Sequence, residues 1–164
     1  SLPDFRAAER TFQLLVQVAG RAGRGDRPGT VLIQTYQPEH PAVVLAARHD
    51  VTAFLDREIE ARRELRYPPF SRLALVRVDA VDEREAERAA AFLADIAARA
   101  CKHEADILGP APAPLIRLRN RFRYRFMVRS ASRAPLRAAL LAVARAPDNR
   151  RVRVAIDVDP MSML

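Results

Sequence analysis

The apolar residues near the start of the chain recur at the spacing of an α-helix. They are Phe12, Leu15, Val16 and Ala19. The glycines between Gly20 and Gly25 predict the end of this helix. The following run at 30–35, Thr-Val-Leu-Ile-Gln-Thr, predicts a short β-strand because it is rich in β-branched residues. A strand needs hydrogen-bonding neighbours, so we expect its partners in sequence upstream of this chain.

The middle of the chain, residues 38–70, predicts two connecting helices. The first spans roughly 38–48, after a proline-rich start. The second begins at Asp50, a suitable N-cap residue, and ends at Pro68-Pro69. Its predicted buried side carries Val51, Phe54, Leu55, Ile59 and Arg62.

In the last part, residues 71–164, stretches with the alternation of a β-strand and stretches with the spacing of an α-helix follow one another in a recognisable order. The predicted elements are a strand at 72–79, a helix at 82–102, a short strand or loop at 106–118, a strand at 121–129, a helix at 133–146 and a strand at 151–158. This βαββαβ order is that of the split, ferredoxin-like α+β fold, in which two helices cover one face of a sheet.

Composition narrows the classes of protein that the chain can represent. Among its 164 residues, the single cysteine, Cys101, excludes an internal disulfide framework and a cysteine-built zinc site. No apolar run reaches the length of a membrane span, and the sequence does not start with a basic-then-apolar segment, so we expect no secretory signal and a cytoplasmic protein with no membrane partner. The single lysine, Lys102, does not follow a glycine-rich turn, so the chain has no Walker A loop. Because the sequence begins with Ser1, we expect it to be a piece of a longer protein.

Candidate catalytic chemistry is concentrated at the end of the first helix. The pattern Gln17-x-x-Gly20-Arg21-x-x-Arg24 places one amide and two guanidinium groups around a glycine turn. Glycine allows a ligand to approach the backbone closely, and converging guanidinium groups suit a polyphosphate. On spacing alone, a solvated basic turn remains an alternative interpretation.

This pattern resembles motif VI of superfamily 2 helicases. The longer run from Asp4 to Arg24 resembles the PriA family of replication-restart helicases, also called primosomal protein N′. Further matching runs follow in order along nearly the whole chain: 29–35, 64–70, Leu108-Gly109-Pro110 and 157–160.

The resemblance implies a fold and a role for each matching residue. Residues 1–37 would be the end of the second RecA-like helicase lobe, 38–70 a helical connector and 71–164 the C-terminal βαββαβ domain. ATP with Mg²⁺ would lie between the two lobes of the intact protein. Arg24 would be the arginine finger, Arg21 would contact the γ-phosphate, and Gln17 would hold the phosphate or the attacking water, with Gly20 beside them. Since the P-loop and the family's zinc-binding cysteines have no match here, this piece alone should neither hydrolyse ATP nor bind zinc.

The net charge of +8 suggests an anionic partner. The candidate DNA-binding residues lie on the strand at 121–129 and in the approach to it: Arg117, Arg119, Arg121, Arg123 and Arg125. Alternation places the arginines of this strand on one face and its aromatic residues on the other, where they should join the core. We therefore expect weak, salt-dependent and sequence-independent contact with phosphates. A solvated edge strand protected by its charge is the alternative.

A second basic pair begins the last helix. Arg133 and Arg137 are one turn apart after Ser132, a suitable N-cap residue, and could hold a terminal carboxylate. The resemblance implies binding of the acidic tail of single-stranded-DNA-binding protein, and we place that contact on this pair. Ordinary charge on a helix surface is the alternative.

Two functions of different classes follow from these observations. One is the C-terminal portion of an ATP-dependent DNA helicase that restarts stalled replication forks and assembles the primosome. Its partners would be branched or single-stranded DNA and other primosome proteins. The other is a noncatalytic basic βαββαβ module that binds single-stranded nucleic acid or an acidic peptide.

Overall fold

The structure is a computed structural model that describes residues 4–22, 29–147 and 149–162. Its contacts divide the chain into two units. One unit is Phe5–Leu65, which we call the helical unit, and the other contains Arg66–Leu164, which we call the sheet unit. Each unit has its own hydrophobic core.

The helical unit contains three helices: α1 (Ala7–Ala22), α2 (Pro41–Ala47) and α3 (Val51–Glu64). Helix α2 begins with proline at its first position, and its N-cap residue His40 accepts a hydrogen bond from the Ala42 amide through Nδ1 at 3.2 Å. The predicted N-cap at Asp50 is confirmed, because its Oδ1 accepts a hydrogen bond from the Ala53 amide at 3.0 Å.

A small core holds α1 in place. Its buried members are Phe12, Ala42, Leu45, Ala46 and Phe54. The Phe12 and Phe54 rings are stacked, with centroids 4.0 Å apart and planes 2° from parallel. Arg62 adds a polar link between α1 and α3, because it pairs with Glu9 at 2.7 Å and with Glu58 at 2.8 Å. Burial alone would lower the pKa of Arg62, but these two hydrogen-bonded carboxylates outweigh it and raise that pKa.

Two segments of the helical unit differ from the simplest expectation. Residues 30–35 form no strand with the described residues, since a β-ladder needs a partner and no described segment pairs with them; Leu32 is 95% exposed. The expectation that their partner strands come from outside this chain stays a prediction. On α3, Phe54 is buried but Leu55 is 55% exposed. Phe54 is the buried residue of α3 in the core around Phe12, and Ala53 packs partly against it, so the buried side of α3 is narrower than its apolar pattern predicts.

The sheet unit has the predicted βαββαβ order. Its elements are β1 (Arg72–Ala80), α4 (Glu83–Ala100), β2 (Asp106–Leu118), β3 (Arg121–Ser130), α5 (Arg133–Ala144) and β4 (Val152–Val158). The strands form one sheet in the order β2-β3-β1-β4, and every neighbouring pair is antiparallel. The fold is therefore a ferredoxin-like α+β fold, as predicted.

The two helices of the sheet unit share a core with one face of the sheet. Helix α4 contributes mainly alanines and Leu93, and α5 contributes Leu136, Ala139 and Val143. Strand β3 contributes Tyr124, Phe126 and Val128 to the same core. The prediction that the aromatic residues of this strand belong to the core is confirmed. Its arginines at odd positions therefore point toward the opposite face, which neither helix of the sheet unit covers and which we call the open face, although part of it is buried.

Strand β2 is irregular. Its pairing with β3 shifts register between Leu108 and Ala111, and again between Pro112 and Arg117. Gly109 lies in the first shift with φ +104°, a conformation that favours glycine. Such bulges change which face a side chain occupies, so alternation within β2 does not extend along the whole strand.

Candidate functional site

The predicted nucleotide-contacting residues lie at the C-terminal end of α1. Gln17 and Arg21 are four residues apart in this helix, which places them on the same side, and both are exposed. Among the described residues neither side chain has a hydrogen bond or an ion pair. The third residue, Arg24, lies outside the described residues. Gln17 and Arg21 are therefore both open to a ligand.

Gly20 lies between these two residues and packs against none of the described residues. A Cβ built at Gly20 meets no atom of the described part of the chain within 4 Å. The helix continues through it to Ala22, so the turn predicted to begin there starts later. Glycine costs a helix stability relative to alanine, and the open space leaves room for a ligand beside the backbone.

Gly29, in contrast to Gly20, lies tightly against the backbone of α1. A Cβ built there would lie 2.1 Å from the carbonyl oxygen of Ala22, the last residue of α1. The described residues on either side of segment 23–28 therefore touch, and only glycine fits at this contact. A cavity of about 260 Å³ borders this contact and is lined by small and aliphatic residues together with His49.

The five candidate DNA-binding arginines do not form one row. Arg119 and Asn120 form the two-residue turn between β2 and β3, and both have positive φ angles, 50° and 61°. Arg117 pairs in register with Phe122, and its guanidinium lies 5.3 Å from the centre of that ring, on the helix side of the sheet. Arg121, Arg123 and Arg125 extend from the other side. The turn and the bulges of β2 thus separate residues that sequence alternation placed together.

Arg121 is engaged by its own sheet. It forms an ion pair with the Asp79 carboxylate and donates hydrogen bonds to the carbonyl oxygens of Asp79 and Arg151, each at 2.9 Å. Its side chain is 17% exposed. These contacts use the donors that a phosphate would need, so the assignment of Arg121 to DNA contact is not supported by its position.

Arg125 is buried, with 1% of its surface exposed. Leu75 and Met127, which lie on the same face, are also fully buried. Burial lowers the pKa of the Arg125 guanidinium, Asp4 offsets part of this effect, and Arg123 adds to it. Arg125 therefore cannot reach a phosphate in solution, and its predicted role in DNA contact needs correction. Arg123 is half-buried and keeps its access to solvent.

The basic pair of α5 is arranged as predicted. Arg133 and Arg137 are both exposed and lie one turn apart. Ser132 occupies the N-cap position, but its side chain makes no capping hydrogen bond. The first turn of α5 also contains no acidic residue. The helix N-terminus and both guanidinium groups are therefore open to an anion.

The described part of the chain shows neither a metal-binding cluster nor a membrane-spanning helix. In it, no cluster of three or more His, Cys, Asp or Glu residues could hold a metal ion. Likewise, no helix within these residues has both the length and the apolar character needed to cross a membrane.

Comparison with known proteins supplies the context for these sites. The model of the family described as the primosomal protein N C-terminal domain matches residues 63–161. The chain is 39% identical over 167 residues to the replication restart protein PriA of Bacillus subtilis. This alignment covers 99% of this chain and 21% of that protein. The chain is 39% identical over 160 residues to the protein of that name from Synechocystis, and 35% identical over 162 residues to that from Haemophilus influenzae. These alignments cover 98% of this chain in both cases, with 19% and 22% of the respective relatives. The chain thus spans about a fifth of the length of these relatives.

Proposed function

The chain belongs to the primosomal protein N C-terminal domain family, and on that premise we propose that it is the trailing part of an ATP-dependent DNA helicase. The longer protein would restart stalled replication forks and assemble the primosome. The observation that carries this proposal is the similarity to proteins named for replication restart, which extends over 98–99% of the chain. It therefore includes α1 as well as the sheet unit.

In this proposal the end of α1 acts on a nucleotide held by another part of the longer protein. Gln17 and Arg21 are exposed on one side of α1, and no described residue engages them, as a contact to an external phosphate requires. Arg24 would follow as the arginine finger, which stabilises the charge of the transferring γ-phosphoryl group. Mg²⁺ would accompany the ATP, and its ligands would come from outside this chain.

The exposed apolar residues of segment 29–37 support the same proposal. Leu32 is 95% exposed, and Tyr36 is fully exposed. Burying such side chains is favourable, and an extended segment rich in β-branched residues can join a sheet. We therefore propose that residues 30–35 pair with strands of a RecA-like lobe in the longer protein.

The sheet unit would bind DNA and a protein partner. Arg117 and Arg119 at the hairpin remain exposed, and Arg123 remains accessible on the open face. The open N-terminus of α5, with Arg133 and Arg137, would hold the acidic C-terminal tail of single-stranded-DNA-binding protein.

The proposal is tested by ATP turnover of the longer protein with Arg24→Ala and Arg21→Ala. Loss of an arginine finger should reduce turnover by about 10³-fold or more, while the affinity for DNA stays near normal. An exposed arginine of α4, Arg84, provides the matched control, since Arg84→Ala removes the same charge from a surface with no proposed contact. Turnover retained in both α1 variants would remove the assignment.

A noncatalytic basic module is the second candidate, and one observation favours it. The sheet unit has a complete four-stranded sheet and a core of its own, so it needs no further strand to bury its apolar face. If it acts alone, Arg24→Ala should change no activity of the protein, whereas variants of the exposed sheet-unit arginines should change nucleic-acid binding.

A further inference from the structure

Three adjacent strands place a set of charged residues side by side on the open face. Strand pairing puts Arg123 of β3 opposite Asp79 of β1, and Asp79 opposite Arg153 of β4. Neighbouring strands are about 4.8 Å apart, so the backbones of the two arginines are about 10 Å apart, with Asp79 between them. Only the antiparallel register reveals this arrangement, because these residues are far apart in sequence.

The acidic residues of this face are already compensated. Asp79 pairs with Arg121 and is 29% exposed, and Asp157 lies 3.8 Å from Arg77. Within the described part of the chain, no ion pair involves Arg123 or Arg153. Arg153 is exposed and Arg123 half-buried, so both guanidinium groups can meet a ligand from solvent.

We propose that Arg123 and Arg153 bind the phosphate backbone of a single DNA strand across the open face, and that Arg121 is a positioning residue that neutralises Asp79 between them. Without Arg121, the Asp79 carboxylate would repel the phosphates that the two outer arginines attract. The inference rests on the proposed function for the choice of DNA, and it adds Arg153 to the interface while it gives Arg121 a different role.

The surroundings of the pair favour a phosphate backbone over an acidic peptide. The aromatic side chains of β3 lie in the core on the other side of the sheet, so they offer no surface for base stacking. Ala155 is the residue next to Arg153 on this side of β4, and it provides no pocket for a bulky apolar anchor. Contacts made by guanidinium groups to phosphates alone carry no sequence information, so binding should be sequence-independent.

The first experiment measures the affinity of the 164-residue chain for a mixed-sequence single-stranded oligonucleotide over a range of salt concentrations. Arg123→Ala and Arg153→Ala should each weaken binding about three- to tenfold and lower the log–log salt slope by about 0.7. The double variant should lower that slope by about 1.4. The control, Arg84→Ala with Arg88→Ala, removes the same charge from the exposed surface of α4 and should change the affinity less than about twofold.

A second experiment isolates the role of Arg121. Asp79→Asn removes the central negative charge and should strengthen DNA binding. Arg121→Ala should weaken binding in the wild-type background and have a smaller effect in the Asp79→Asn background, because no carboxylate then remains to be neutralised. Equal effects of Arg121→Ala in both backgrounds would overturn the positioning role. If Arg121→Ala does not fold, the increase caused by Asp79→Asn alone is decisive, and its absence overturns that role.

The outcomes separate this inference from the proposed function. A wild-type chain with no salt-dependent DNA binding would overturn both. A chain that binds DNA, loses binding in Arg117→Ala with Arg119→Ala, and is unaffected in the Arg123 and Arg153 variants would overturn only the open-face site. If the Arg123 and Arg153 variants lose binding to an acidic peptide while their DNA binding is unchanged, the two arginines bind a peptide and the inference is overturned.

Discussion

Two glycines at the end of α1 should respond in opposite ways to the same substitution. Gly20 lies within the helix, and an added Cβ would meet no described atom within 4 Å. Alanine is favoured over glycine in a helix by about 0.5–1 kcal/mol, so Gly20→Ala should stabilise the chain by up to that amount. At Gly29, an added Cβ would lie 2.1 Å from the Ala22 carbonyl oxygen. The backbone would have to shift, and such overpacking costs about 1–3 kcal/mol.

Urea unfolding of the 164-residue chain, followed by helical circular dichroism, measures both effects. The two variants should differ in free energy of unfolding by about 1.5–4 kcal/mol, with wild type between them. In the longer protein, Gly20→Ala should nevertheless reduce ATP turnover, because its methyl group occupies the space beside Arg21. Destabilisation by Gly20→Ala would show a structural need for this glycine. Unchanged turnover would show that no ligand approaches there, and either result would refute the reasoning.

Three further predictions concern the two cores and the α5 surface. Phe54→Ala should destabilise the helical unit by about 3–5 kcal/mol, since it removes a ring stacked on Phe12 from a small core; a loss below about 1 kcal/mol in urea unfolding would contradict this. Burial, with the charges of nearby glutamates, raises the pKa of Tyr124 above its usual 10.0. The folded state therefore holds the proton longer, so stability should fall as pH rises above about 10, and less so in Tyr124→Phe; equal slopes in alkaline unfolding experiments would contradict this. Arg133→Ala with Arg137→Ala should weaken binding of an acidic peptide with a free C-terminus at least about tenfold, and an unchanged titration would remove that site.

The periodic elements of the chain could be predicted because each is determined by local pattern. The long helix α4 has its apolar residues on one side, and β3 alternates between arginine and aromatic residues from Arg121 to Phe126. The βαββαβ order then fixed the ferredoxin-like arrangement, since few topologies accommodate it. Residues 30–35 have the same local signal for a strand, but a strand also depends on a partner, which local pattern does not supply.

The candidate interface was harder to predict because it depends on relations between strands. The two register shifts in β2 placed Arg117 on the helix side, opposite to the arginines of β3. Burial of Arg125 depends on the tertiary surroundings of the open face and not on its strand. Arg153 was missed for a similar reason: its proximity to Arg123 arises from the pairing of both strands with β1. Alternation in the sequence around Arg153 predicts which face of the sheet its side chain occupies. No signal in the sequence predicts which residues of the neighbouring strands lie beside it.

The most direct test of the central claim is single-turnover ATP hydrolysis by the longer protein, with DNA bound, in wild type and in Arg24→Lys and Arg24→Ala. If this side chain reaches the nucleotide held by the other lobe, both variants should lose about 10³-fold or more in rate, since lysine cannot reproduce the guanidinium fork. ATP and DNA affinities should stay close to those of wild type. Hydrolysis within about tenfold of wild type in both variants would contradict the claim that this chain contributes to the ATP site.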